Sequence, residues 1–120
     1  MNNKPIILYV EDEESIRQEM TEILSLDFEN IFIAENGQDG LEMYKKHNPD
    51  LIITDVQMPY MNGIEMSRAI LKINKDAKII VITAFNEDTY IKKVKEAGIE
   101  NHINKPVNIN ELFNTIHSLI

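Results

Sequence analysis

Four short apolar segments, each followed by a stretch with helical periodicity, constrain the fold of this chain more than any other feature. The segments are continuous rather than alternating and rich in β-branched residues, which is typical of parallel strands covered on both faces. They span residues 6–10, 31–34, 51–53 and 79–82, and a weaker fifth strand is predicted over residues 101–104. Strands that alternate with helices predict a doubly wound parallel α/β sheet with helices on both faces.

The stretches between the strands carry apolar residues at helical spacing. In the first helix, this spacing predicts one buried face made of Ile16, Met20, Ile23 and Leu24. Two shorter helices are predicted around residues 41–44 and 91–94. The third and fifth helices show the same pattern, through Met66, Ala69, Ile70 and Ile73, and through Ile109, Leu112, Phe113 and Ile116.

Length and composition narrow the class of protein. A chain of 120 residues is the size of one domain, so residues 1–120 are expected to form a single domain. The chain has no cysteine, which excludes disulfides and thiolate metal sites. Its net charge of −8 argues against direct binding to nucleic acid, because that affinity comes mainly from clustered Lys and Arg. The first apolar run is too short for a signal sequence or a membrane span, so a cytoplasmic location is expected.

Polar residues follow the predicted strands at one end. Ligands in doubly wound sheets bind outside the carboxyl ends of the strands. Each of these polar residues, taken singly, has a simpler interpretation as a turn residue, a helix cap or a surface side chain. Their shared position at one edge of the sheet favours a common site, made of Glu11 and Asp12 after the first strand, Asp55 after the third, Thr83 after the fourth and Lys105 after the fifth.

Three carboxylates at one edge of a sheet repel one another and require neutralisation. Mg²⁺ is the usual cation where one or two carboxylates combine with phosphate oxygens, and Lys105 adds a second positive charge. A carboxylate beside such a cation, with a hydroxyl and an ammonium group close by, is suited to attack phosphorus and become an acyl phosphate. No residue is placed as an obvious general base, and an ionised Asp55 would need none.

The motifs at the strand ends resemble a known family. They closely resemble, in order and over essentially the whole chain, the receiver domain of two-component response regulators. This resemblance implies a flavodoxin-like receiver fold, with five helices and a five-stranded parallel sheet of order 2-1-3-4-5. It also implies a cis peptide bond before Pro106. The motifs are Ile7-Leu8-Tyr9-Val10-Glu11-Asp12-Glu13, Thr54-Asp55-Val56-Gln57-Met58-Pro59 with Gly63, Thr83-Ala84 and Lys105-Pro106.

The resemblance implies a role in a phosphorelay. Asp55 would accept a phosphoryl group from a phosphohistidine of a sensor histidine kinase or a phosphotransfer protein. Mg²⁺ would be bound by Asp12, by Asp55 and by the backbone carbonyl of Gln57, with Glu11 acting through water. A domain of this kind assists its own phosphorylation and dephosphorylation but turns over no separate substrate.

The resemblance also implies how the signal leaves the domain. Thr83 would hydrogen-bond the phosphoryl group, and Lys105 would form an ion pair with it. The fourth helix, fifth strand and fifth helix would then present a changed surface to an output domain or protein. The domain is expected to be a monomer or a weak phosphorylation-dependent dimer, without direct contacts to nucleic acid or membranes.

The sequence departs from the family pattern at two positions. His102 stands where relatives usually have Tyr or Phe, and Phe85 stands where many relatives are polar. Because histidine titrates near neutrality, His102 is a candidate switch residue that would couple phosphorylation to pH. The alternative is that His102 stays outside in both states and the switch runs through backbone shifts.

Three other functions are alternatives to the phosphorylation switch. A flavin-binding electron carrier would need a Ser-, Thr- or Gly-rich loop after the first strand, where this chain has four consecutive acidic residues. An aspartyl-phosphate hydrolase would carry a second acid two residues after Asp55, where this chain has Gln57. A degenerate receiver that binds partners without phosphorylation ranks below the active switch, because all five polar site residues are present.

Overall fold

The computed structural model describes residues 4–83 and 88–120, in which five strands and five helices alternate along the chain. All strand pairs are parallel, and the order in the sheet is β2-β1-β3-β4-β5, which confirms the predicted fold class. The elements are β1 (Ile6–Val10), α1 (Glu14–Leu24), β2 (Asn30–Ala34), α2 (Gly37–His47), β3 (Leu51–Asp55), α3 (Gly63–Ile73), β4 (Ile79–Thr83), α4 (Asp88–Glu96), β5 (Asn101–Asn104) and α5 (Ile109–Leu119).

The central strands are buried on both faces, as their continuous apolar runs predict. Successive side chains of a strand point to opposite faces, so each strand contributes to two cores. Leu8 and Val10 of β1 belong to the core under α2, α3 and α4, whereas Ile7 and Tyr9 belong to the core under α1 and α5. The sheet is therefore a rigid middle layer, and its carboxyl edge is a fixed platform for polar side chains.

Asparagine side chains cap three of the helices. Asn36, Asn62 and Asn108 each accept a hydrogen bond from the backbone N–H three residues later. Asn62 also forms a capping box, because the carboxylate of Glu65 accepts from the Asn62 backbone N–H at 3.0 Å. These caps fix where α2, α3 and α5 begin.

Several details of the helices differ from the sequence-based predictions. The apolar stripes of α3 and α5 each include an exposed residue, since Ile73 is 53% and Ile109 is 37% exposed. Helix α1 buries Arg17, Met20 and Leu24, while Ile16, predicted to be in the core, is 39% exposed. The burial of a guanidinium requires hydrogen-bond acceptors, and these rotate the helix relative to its purely apolar stripe. Helix α2 is not shorter than its neighbours, since it has 11 residues, as α1 does.

Residues 4–83 and 88–120 contain five helices of nine to eleven residues each. None of these helices combines the length and the apolar character needed to cross a bilayer.

Candidate functional site

The parallel sheet brings the carboxyl ends of β1, β3, β4 and β5 to one edge. A cleft of about 510 Å³ opens at this edge. Its lining includes most of the predicted site residues, namely Glu11, Asp12, Asp55, Gln57 and Lys105. Thr83 and His102 are not among the lining residues of this cleft. Thr83 is the last residue of β4, and His102 of the fifth strand pairs with Val81 within the sheet.

Glu11, Asp12 and Asp55 form an acidic cluster in this cleft. One carboxylate oxygen of each lies within 4.8 Å of those of the other two. Glu11 and Asp55 are buried, at 3% and 8% exposure, while Asp12 is exposed. Hard oxygen donors at this separation fit Mg²⁺, which combines one or two carboxylates with waters and phosphate oxygens. The described residues thus bring together the three carboxylates that the sequence predicted to be neighbours.

Burial and charge repulsion act on Glu11. Burial is the larger cause and, together with the negative charge of Asp55, it raises the pKa of the Glu11 carboxyl to about 7. The backbone N–H of Glu13 donates to Glu11 Oε2 at 3.1 Å, and Lys105 lies nearby, and both favour the ionised form. Near neutrality, Glu11 therefore carries a proton part of the time, which lowers the repulsion inside the cluster.

Asp55 is held by two contacts of different character. Its Oδ1 accepts a hydrogen bond from the backbone N–H of Val56 at 2.8 Å. Its Oδ2 lies 3.1 Å from Lys105 Nζ, in an ion pair whose lysine side chain is 38% exposed. One oxygen of the Asp55 carboxylate thus contacts the backbone, and the other contacts a partly exposed ammonium group.

Gly63 allows the loop after β3 to close over Asp55. The Gly63 N–H donates to the carbonyl of Val56 at 2.8 Å. A Cβ atom at Gly63 would lie 2.0 Å from the Asp55 carbonyl oxygen, a distance no side chain tolerates. The Thr54 hydroxyl also donates to this carbonyl at 2.8 Å. Glycine is therefore required here so that α3 can begin directly behind the acidic cluster.

Thr83 and Lys105 are connected by a backbone hydrogen bond at the carboxyl end of β4 and β5. Thr83 is fully buried and lies opposite Asn104, and its Oγ1 donates to Asn104 Oδ1 at 3.2 Å. The Lys105 N–H donates to the Thr83 carbonyl at 2.8 Å, and the Lys105–Pro106 peptide bond is cis. His102 is half-buried on β5, two residues before Asn104. Phe85, the other departure from the family pattern, lies outside the described residues.

Arg17 belongs to the site but was missed by the sequence analysis. Its Nη1 donates to the backbone carbonyl of Glu11 at 2.9 Å and to that of Asp12 at 3.4 Å. Its Nη2 lies 3.4 Å from Glu35 Oε1, beyond the end of β2. A signal was present in the sequence, because Arg17 is three residues before Met20 and seven before Leu24, on one helical face.

Comparisons with known proteins agree with this geometry. A family model described as "Response regulator receiver domain" matches residues 7–117. The chain is 39% identical over 100 residues to the chemotaxis protein CheY of Halobacterium salinarum, covering 83% of each chain. It is 35% identical over 112 residues to the sporulation initiation phosphotransferase F of Bacillus subtilis, covering 93% of this chain and 89% of that one.

The fold is also similar to solved structures. A response regulator receiver domain protein from Clostridium thermocellum superposes with a TM-score of 0.88 and 29% identity. The superposition covers 97% of this chain and 94% of that chain. Both sequence and fold therefore point to the same family.

Proposed function

Because this chain belongs to the response regulator receiver domain family of two-component systems, we propose that it is an Mg²⁺-dependent phosphorylation switch. Asp55 takes a phosphoryl group from a phosphohistidine of a sensor kinase or phosphotransfer protein. The observation that carries the proposal is the buried Asp55 carboxylate, which lies within 4.8 Å of two other carboxylates and 3.1 Å from the Lys105 ammonium. One relative is itself named a phosphotransferase, which is consistent with phosphoryl chemistry on this fold.

The metal-binding residues are proposed to be Asp12, Asp55 and the backbone carbonyl of Gln57, with Glu11 acting through water. The spacing of the three carboxylates and their hard oxygen donors suit Mg²⁺. When bound, Mg²⁺ neutralises negative charge on the carboxylates and on the transferred phosphoryl group. The partial protonation of Glu11 keeps the metal-free cluster from accumulating three full charges.

The transfer step requires little beyond position and charge. A carboxylate oxygen of Asp55 attacks phosphorus and forms the O–P bond, while the P–N bond of the phosphohistidine breaks. The electron pair of that bond stays with the departing imidazole. A carboxylate has no proton to lose, so no general base is needed. Lys105 Nζ, already 3.1 Å from Asp55 Oδ2, is positioned to pair with a phosphoryl oxygen.

Signal output is proposed to run through Thr83 and His102. The Thr83 hydroxyl, at the end of β4, would donate to a phosphoryl oxygen on Asp55. The backbone carbonyl of Thr83 accepts a hydrogen bond from the Lys105 N–H, and the neighbouring strand β5 contains His102. A shift of Thr83 would therefore displace β5 and change the α4–β5–α5 surface. That surface would bind the downstream output domain or protein. Since Asp55 is itself modified, the protein acts as a signal carrier and turns over no separate substrate.

The test is phosphorylation by a small phosphodonor. We expect incubation with Mg²⁺ and acetyl phosphate to add one phosphoryl group, seen by intact mass as an acid-stable, base-labile increase. Asp55→Asn should abolish this increase, and removal of Mg²⁺ by EDTA should do the same. The matched control is Asp76→Asn, an exposed carboxylate far from the cleft, at the other end of the sheet. Phosphate uptake by Asp55→Asn at the wild-type rate would show that the acceptor is another residue.

A further inference from the structure

The side chains of Thr83 and Asn104 form a hydrogen bond at the last residue pair of β4 and β5. The two residues are directly opposite in the parallel register of β4 and β5. Thr83 is fully buried and donates from Oγ1 to Asn104 Oδ1 at 3.2 Å, whereas Asn104 is exposed. The next residue of the chain, Lys105, contacts Asp55. Two consecutive residues, Asn104 and Lys105, therefore contact the proposed hydrogen-bond donor Thr83 and the proposed phosphoacceptor Asp55.

The Thr83 hydroxyl has a single proton to donate. In this structure, that proton is directed to Asn104 Oδ1. The proposed function requires the same proton for a phosphoryl oxygen on Asp55. The two acceptors therefore compete, and the hydroxyl must leave Asn104 when Asp55 is phosphorylated.

We propose that Asn104 holds Thr83 in the unphosphorylated arrangement and thereby sets the balance of the switch. This inference rests on the proposed function, since it concerns the competition between Asn104 and the phosphoryl group. The exposure of Asn104 is important, because water replaces Thr83 as the partner of Oδ1 when the hydroxyl turns away. A buried amide would be left without a partner and would lock the switch, whereas an exposed one biases it only modestly.

A different role for Asn104 makes the opposite prediction. The carboxamide also carries an N–H₂ group, which could donate to a phosphoryl oxygen directly. In that case, removal of Asn104 would weaken the phosphorylated state, whereas removal of a competing acceptor strengthens it. The sign of the effect therefore separates the two roles.

The experiment measures affinity for beryllofluoride, a phosphoryl mimic, in the presence of Mg²⁺ by isothermal titration calorimetry. Asn104→Ala removes one neutral hydrogen bond from the unphosphorylated arrangement. The variant should therefore bind beryllofluoride about two- to tenfold more tightly than wild type does. Asn104→Leu has nearly the shape of Asn and should give the same gain. Asn101→Ala, at the opposite end of β5 and paired with Ile80, is the matched control and should bind as wild type does.

A double-mutant cycle ties the effect to the hydroxyl. In a Thr83→Val background, Asn104→Ala should change the beryllofluoride affinity no further, because no proton is left to compete for. A gain that persists in this background would overturn the proposal. An unchanged or weaker affinity of Asn104→Ala, with normal binding by wild type, would also overturn it and leave the proposed function intact. Wild-type protein that folds but does not bind beryllofluoride would instead overturn the proposed function, and this inference with it.

Discussion

Arg17 Nη1 donates to the backbone carbonyl of Glu11 at 2.9 Å, and this bond ties helix α1 to the loop that holds two of the three site carboxylates. The guanidinium is largely buried and also reaches the carbonyl of Asp12 and the carboxylate of Glu35. Arg17 thus links the loop after β1 to the loop after β2. Its hydrogen bonds to two consecutive carbonyls favour the observed arrangement of the acidic loop against the repulsion among its side chains.

We expect Arg17→Met to destabilise the protein by about 1–3 kcal/mol, because it leaves the buried Glu11 carbonyl without its donor. The same variant should also bind Mg²⁺ more weakly, since the Asp12 loop loses its anchor. Arg68→Met, which removes an exposed arginine from α3, is the matched control. Urea denaturation and Mg²⁺ titration measure the two effects. Wild-type Mg²⁺ affinity in Arg17→Met would limit Arg17 to a purely structural role.

The raised pKa of Glu11 predicts a pH dependence of the metal-free protein. In the folded state the pKa is about 7, above the usual 4.5, so the folded protein binds this proton more tightly than the unfolded chain does. The contribution of Glu11 to stability is therefore full below the unfolded pKa and is lost as pH rises through the folded value. With EDTA present, wild type should lose stability relative to Glu11→Gln between about pH 5 and about pH 8. Equal pH profiles of the two proteins would contradict the shift.

Mg²⁺ should raise the melting temperature by binding only the folded acidic cluster. At roughly ten times Kd, the ligand stabilises by about 1.4 kcal/mol, which corresponds to about 4–8 °C for a domain of this size. Asp12→Asn should remove most of this shift, while the exposed Asp39→Asn on α2 should keep it. Differential scanning calorimetry at low salt measures the change. A melting temperature of wild type that does not respond to Mg²⁺ would count against the metal site.

Lys105→Ala should impair signalling more than folding. The ammonium is partly exposed, so its ion pair with Asp55 contributes little to stability. Acetyl phosphate should still label the variant, but more slowly. Its α4–β5–α5 resonances in NMR spectra should shift less on beryllofluoride addition. Lys75→Ala, a change of an exposed lysine far from the cleft, should behave as wild type does in both assays. Wild-type behaviour of Lys105→Ala would make Lys105 an ordinary surface residue.

Tyr60 is 86% exposed, and its backbone φ of 68° lies in the left-handed region. An L-residue in this region costs about 1–2 kcal/mol, and Asn tolerates it better than Tyr does. Tyr60→Asn should therefore stabilise the protein by about 0.5–1 kcal/mol. Chemical denaturation checks this value, and Gln18→Asn, at an exposed position of α1, provides no equivalent gain because helical backbone does not favour Asn. A loss of stability in Tyr60→Asn would mean that the tyrosine ring makes stabilising contacts.

Sequence patterns alone were sufficient to predict the sheet and the edge at which the acidic residues lie. Continuous apolar runs specify strands covered on both faces, and parallel strands bring all their carboxyl ends to one side. That is why Glu11, Asp12, Asp55 and Lys105 could be placed in one cleft although they are distant in the chain. Each of these residues ends a strand or follows one within two positions, so the local pattern was sufficient.

The pairing of polar groups, by contrast, could be read only from the packing of the helices and strands. Helix α1 has two overlapping faces that could be buried, one that includes Ile16 and one that includes Arg17. The sequence predicted burial of the face with Ile16, whereas the structure buries the face with Arg17. The carbonyls of the loop after β1 accept from the guanidinium and select the other rotation. Similarly, the pairing of Thr83 with Asn104 depends on the register of β4 and β5. Periodicity reports which residues avoid water, whereas hydrogen-bond partners far apart in sequence are set by how the elements pack.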